Sequence, residues 1–151
     1  MISTKGRYAL RVMIDLAEHG ANGPVPLKEI AERQEISKKY LEIIVKELVR
    51  GNLICGASGK GGGYKLCRAP ADYSVWEILR LTEGSLATVA CLAGGTVDCP
   101  RAGECRTLPM WAEYDRMTQD YFSSKKLSDF LKQPGGDPAG LSGRLASETR
   151  D

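Results

Sequence analysis

Histidine is almost missing from these 151 residues, with His19 standing alone. The sole imidazole has no nucleophile beside it in a shared motif and no cofactor fingerprint is complete, which argues against an enzyme. Long apolar runs are missing too. Segments such as EIIVKELV and WEILRL are broken by charge well short of the roughly 20 residues a membrane span requires, so no membrane partner is expected. Near the N-terminus a short apolar segment is interrupted by Arg11, Asp15 and Glu18 and is followed by no small-residue cleavage site, so a cytoplasmic protein is expected. Five cysteines make an odd number, and without an export signal they do not read as a disulfide framework. Thiol or metal chemistry is the better expectation. There is no internal repeat.

The chain is long enough for one domain with a core plus an appended helical piece. Its net charge of +2 conceals an asymmetry: residues 1–70 carry 12 Lys and Arg against 7 Asp and Glu, whereas residues 71–151 carry 9 against 12. The N-terminal half is the one suited to a polyanion.

Leu10, Met13, Ile14 and Ala17 recur at helical spacing and predict an amphipathic helix over about residues 6–20, ended by Gly20, Gly23 and Pro24. The stretch PLKEIAERQEI predicts a short helix with Leu27, Ile30 and Ala31 on one face. Ser37 then caps a second helix from about Lys38 to Arg50, with Gly51 as its stop. In it Ser37, Tyr40, Leu41, Ile44 and Leu48 share one stripe while Lys38, Lys39, Glu42 and Lys46 point elsewhere. Two short helices tightly joined, the second lysine-rich outside, have the sequence form of a helix-turn-helix.

The glycine-rich stretch GASGKGGGYKLC could cradle phosphates or form a hairpin. A P-loop needs Lys after its second glycine and then a helix; here Gly62 follows Gly61 and the chain runs on into a strand-like segment. The hairpin reading stands, with Leu53, Ile54, Cys55 and Tyr64, Leu66, Cys67 as its strands. Cys55 and Cys67 are expected to fill core space as small hydrophobes, a disulfide between them being disfavoured in a reducing cytosol.

Ser74 and Glu77 have capping-box spacing before a helix that runs to about Glu83. Residues 90–106 form a loop rich in Gly and Cys. From Leu108 to about Phe122, a helix carries Trp111, Tyr114, Met117 and Tyr121, more bulk than a small domain buries. It is expected to pack on a second subunit, with an intrachain core role as the alternative. The segment SDFLKQ predicts a last short helix, and the Gly, Pro and Ser content after it predicts a disordered tail.

The blocks STKGRYALRVMIDLA, VPLKEIAERQEISKKYLEIIVKELVRGNLI, GKGGGYKL and VWEILRLTEG occur in an order that resembles the Rrf2 family of bacterial winged-helix transcription regulators, over about residues 1–130. Cys91, Cys99 and Cys105 resemble the three-cysteine loop of its iron-sulfur members. The resemblance implies a mainly α fold: a winged helix-turn-helix with a β-hairpin wing and a long C-terminal dimerisation helix. It divides the chain into a DNA-binding domain (1–83), a sensor loop (84–107), a dimerisation helix with the short helix after it (108–132) and a disordered tail (133–151). It further implies a homodimer on a palindromic double-stranded DNA operator, the helix from Lys38 entering the major groove and the wing reaching the minor groove.

On that reading the DNA-binding residues are Lys28, Ser37, Lys38, Lys39, Tyr40, Glu42 and Lys46, with Ser58, Lys60, Gly61 and Gly62 in the wing. Lysines on the exposed face would neutralise phosphates or reach guanine edges, and Ser37 and Tyr40 can donate to phosphate oxygens. Glu42 is repelled by phosphates unless it accepts from a cytosine amino group, so it either specifies sequence or disfavours unsuitable sites. Ser58 departs from the arginine of many relatives, a change expected to weaken minor-groove reading.

The cysteine spacing is Cys91-x7-Cys99-x5-Cys105. Thiolates suit iron-sulfur clusters and zinc alike, and both usually take four ligands. The resemblance favours an iron-sulfur cluster, of 2Fe-2S type ahead of 4Fe-4S. Leu108 stands where some relatives have a histidine ligand, and Arg7 where others have a first-helix acid. Asp98, Glu104, a partner-chain carboxylate, an external thiol or water remain as the fourth ligand. The competing expectation keeps the fold without a cluster, under control of a regulatory partner protein, a metabolite or thiol oxidation, as in the family's cysteine-metabolism regulators.

Overall fold

The computed structural model describes residues 1–131; the tail expected over 133–151 lies outside the described residues. Helix α1 (Thr4–His19) starts at Ser3, whose hydroxyl accepts the Gly6 N–H at 3.3 Å. Its deepest residues are Ala9, Val12, Met13 and Leu16. Leu10 and Ile14, two of the residues that predict the helix, are only half-buried. The periodicity is right but the face is turned: these two side chains line a cleft with Tyr121, Phe122 and Phe130.

Helix α2 (Leu27–Gln34) ends where Glu35 adopts a left-handed conformation, φ 54°. Ile36 is buried in the tight connection, and Ser37 opens α3 (Lys38–Arg50) by accepting the Tyr40 N–H at 3.3 Å. Leu41, Ile44, Val45 and Leu48 of α3 enter the core. The turn and cap set α3 across α2 with its charged side outward, the geometry of a helix-turn-helix.

Two strands follow, β1 (Ile54–Ala57) and β2 (Gly63–Leu66), antiparallel with Ile54 opposite Leu66 and Gly56 opposite Tyr64. Val25, between α1 and α2, extends the ladder: its N–H donates to Tyr64 O at 2.8 Å and its carbonyl accepts from Tyr64 N–H at 2.9 Å. Glycine at position 63 follows from that contact, since its φ is 158° and a Cβ there would run into the Val25 carbonyl.

The structure corrects the reading of the two wing cysteines. Cys55 is half-buried, Cys67 is exposed, and they form a disulfide with Cα atoms 5.6 Å apart. They lie at the solvent side of a ladder whose register brings them together, so they fill no core space.

Helix α4 (Val75–Glu83) has half of the expected capping box. Ser74 Oγ accepts the Glu77 N–H at 3.1 Å, but the Glu77 carboxylate turns to Arg68 at 2.7 Å. A nearby guanidinium is a stronger partner for it than a backbone amide. After the cysteine loop, α5 (Leu108–Ser124) is the longest of the described helices at 17 residues and buries none of them. The chain then returns to the core: Leu127 is fully buried, and its N–H donates to Tyr73 O at 3.0 Å. No described helix is long and apolar enough to cross a membrane.

Candidate nucleic-acid interface

The outward side of α3 carries Lys38, Lys39, Glu42, Ile43, Lys46 and Arg50, all exposed. None of the three lysines has an ion-pair partner among the described residues, and neither has Glu42. The structure thus brings together one helical face of unpaired cations around a single unpaired carboxylate. Ser37 sits at the N-terminal end of that face with its oxygen engaged in the cap. Tyr40 is half-buried, its ring packed edge-on against Tyr8 of α1 with centroids 5.9 Å apart. Lys28, on α2, is exposed and 3.8 Å from Glu32, so its charge is partly answered within its own helix.

At the wing tip Ser58, Lys60 and Gly61 are exposed, and Gly61 has a φ of 77°. Gly62 has a further role. Its N–H donates to Gly59 O at 3.0 Å, and a Cβ there would strike the Ala57 carbonyl. The turn itself requires this glycine.

Several residues that position this face were not singled out from the sequence. Asp15 lies fully buried on α1 and accepts from Arg33 and Gln34 of α2. Arg11 reaches Gln34 as well, while Lys5 pairs with Glu47 of α3 at 3.1 Å. These bonds fix α2 and α3 to α1. An acid embedded between Met13 and Leu16 was the available signal, and it reads in isolation as an interruption of the apolar segment. Tyr73 similarly secures the wing root, donating to Leu53 O at 2.7 Å and accepting the Arg68 N–H at 2.9 Å.

The loop before α5 makes two 3-10 turns, Ala90–Leu92 and Ala102–Glu104. Its start is tied to α5, because the Asp115 carboxylate accepts both the Thr88 N–H at 2.9 Å and the Thr88 hydroxyl at 2.7 Å. Cys91 and Cys99 are half-buried and Cys105 is exposed. The backbone closes the first interval by a 3.0 Å bond from Asp98 N–H to Cys91 O. The donors are of the right chemical type for an iron-sulfur cluster. Among the described residues, however, no three Cys, His, Asp or Glu side chains converge as a metal-binding group. The folded loop therefore fits such a group in ligand chemistry and does not gather it. At Cys105, hydrogen bonding to the Thr107 hydroxyl, 3.5 Å from its sulfur, and to the Thr107 backbone holds the thiol below the ordinary pKa.

The stripe Met110, Tyr114, Met117 and Tyr121 runs along α5 at helical spacing, each residue more than half exposed. Tyr121, at its end, has Lys125 Nζ 5.1 Å from its ring centroid.

Comparison with known proteins places the chain in a family. Residues 2–133 match the Rrf2 family model, described as an iron-dependent transcriptional regulator. The HTH-type transcriptional regulator IscR of Vibrio atlanticus is 32% identical over 131 residues, which is 87% of this chain and 75% of that protein. Among solved structures, CymR (YrzC), the global cysteine regulator of B. subtilis, is 33% identical with a TM-score of 0.70, the match covering 85% of this chain and 94% of that one. T. potens IscR is 32% identical with a TM-score of 0.68, covering 100% of this chain and 93% of that one.

Proposed function

This chain belongs to the Rrf2 family of winged-helix transcriptional regulators, whose members it matches are regulators and not enzymes, and on that premise we propose that it binds a palindromic operator as a homodimer and responds to iron-sulfur or redox status through Cys91, Cys99 and Cys105. The observation that carries the DNA-binding part is the face of α3. Three exposed lysines with no acidic partner represent repulsion the fold tolerates for a polyanionic ligand. On this reading Lys38, Lys39 and Lys46 meet phosphates or guanine edges, Ser37 and Tyr40 donate near the helix start, and Glu42 selects against unsuitable sites. Lys28 is an outlying phosphate contact, while Ser58, Lys60, Gly61 and Gly62 bring the wing tip to the minor groove.

The division of labour follows the chain. Residues 1–83 bind DNA, 84–107 sense, and 108–132 join two copies. The exposed stripe of α5 supports the last assignment, because four large side chains with apolar bodies in a row are costly to leave in water. A bound cluster, of 2Fe-2S type on this reading, would supply sensitivity to oxidants or to iron supply, held by the three thiolates and a fourth ligand. The tie between Thr88 and Asp115 supports coupling from the loop to α5.

A second reading replaces the cluster by thiol chemistry at the same loop, or by control through a protein partner. The favouring observation is that the three sulfurs do not converge while Cys105 has a lowered pKa.

Operator duplexes selected from a random pool test the proposal. The double variant Lys39→Ala, Lys46→Ala should bind them more weakly and with a shallower salt dependence; undiminished binding would move the interface off α3. Anaerobic reconstitution with iron and sulfide should give a coloured protein of altered operator affinity, and Cys99→Ala should lose both effects. A colourless product supports the cluster-free reading.

A further inference from the structure

Ile43 is 49% exposed on the outward side of α3. It stands one turn beyond Lys39 and three residues before Lys46, in the middle of a charged surface. The core has no need of it: Leu41, Ile44 and Leu48 are the fully buried residues of this helix, and Ile43 is not part of the core cluster. Nor does the helix, since a β-branched residue is a weaker helix former than the long polar side chains around it. The core and the helix therefore leave this half-exposed branched hydrocarbon among unpaired lysines unexplained.

We propose that Ile43 is a specificity-determining residue that reads thymine, packing against the C5-methyl group in the major groove. The inference rests on α3 being the helix that enters that groove. Thymine presents the one apolar group on the major-groove edges of the base pairs, and every other feature there is a hydrogen-bond donor or acceptor. Ile43 can make no hydrogen bond, so of these edges it complements only the methyl. Its lysine neighbours contribute affinity that is largely indifferent to sequence, and this side chain adds a preference at one base.

Deoxyuracil removes the methyl while keeping base pairing. In operator duplexes selected with the full chain, each thymine is replaced in turn. Wild type should lose binding about fourfold at one position per half-site, the factor given by about 0.8 kcal/mol per buried CH2. Ile43→Ala should bind the thymine and deoxyuracil duplexes equally, and Ile43→Val should retain part of the preference. Wild-type indifference to deoxyuracil at every position overturns the proposal, as does a thymine preference that survives in Ile43→Ala. Failure of the underlying reading looks different: Lys39→Ala would then bind as tightly as wild type at low and high salt, whatever the deoxyuracil result.

Discussion

Asp15, wholly buried on α1, receives both arms of the Arg33 guanidinium from α2, Nε at 3.0 Å and Nη2 at 2.8 Å. Burial pushes the Asp15 carboxyl up, and the hydrogen bonds from Arg33 and Gln34 with the Arg33 charge pull it further down, leaving it below the usual carboxylate range. A depressed carboxylate pKa stabilises the fold fully above the unfolded value, about 3.9, and that contribution is lost as pH falls through the lower folded value. Asp15→Asn should lower stability at pH 7 by about 2–4 kcal/mol, because Arg33 is left without its buried counter-charge yet keeps some water. In urea melts across pH, the gap between wild type and variant should begin to narrow below about pH 4 and close only below the folded value. A constant gap would mean that the charge is not what holds the helices.

Tyr73 performs the corresponding task at the wing root. Its hydroxyl bridges the Leu53 carbonyl and the Arg68 amide, inside a ring that is fully buried. Tyr73→Phe keeps the ring and the Arg68 guanidinium stacked 4.3 Å above it. The loss should therefore be that of two hydrogen bonds, about 1–3 kcal/mol in denaturant melts. Faster amide exchange at Arg68 should accompany it.

Local chemistry made α3 legible from the sequence to the residue, because Ser37 and Gly51 mark its ends and Leu41, Ile44 and Leu48 its core side. The same reading found the wing, whose glycines exclude a phosphate loop. It could not find partners set by tertiary approach. Glu77 takes Arg68 in place of its own cap because the wing root passes beside α4. The register of β1 on β2 brings Cys55 to Cys67, which no argument from cellular compartment anticipates. The lysine face was visible as charge, whereas its lack of ion pairs depends on Glu47 being taken by Lys5 of α1 and on Glu29 and Glu32 pairing with Arg33 and Lys28 within α2.

The wing disulfide has a direct check. Non-reducing peptide maps should contain one linked pair joining Cys55 to Cys67, two hydrogens lighter than the separate peptides. Closing a short loop constrains the unfolded chain, so reductant should lower stability by about 2 kcal/mol. The double variant Cys55→Ser, Cys67→Ser should show no such response.

Among the loop cysteines, Cys105 should be the most reactive. Cys105 is exposed with a lowered pKa, so more of it is thiolate at neutral pH than of an ordinary thiol. Iodoacetamide at pH 7 should label it several-fold faster than Cys91 or Cys99. Thr107→Val removes the hydroxyl beside the sulfur and should slow that labelling; an unchanged rate would assign the difference to exposure alone.

Glu42 gives the sharpest electrostatic test of the α3 face. It is an exposed carboxylate with no cation partner among the described residues, on the same face as three unpaired lysines. Next to DNA it repels phosphates, and only a donor such as the cytosine amino group offsets that repulsion. Glu42→Ala should therefore tighten binding to random-sequence duplex at low salt. The gain should fade as salt rises, since screening weakens the repulsion that wild type retains. On selected operators the same substitution should relax discrimination at one cytosine and gain less affinity. If random and selected duplexes respond equally, Glu42 acts only as a general repellent and reads no base.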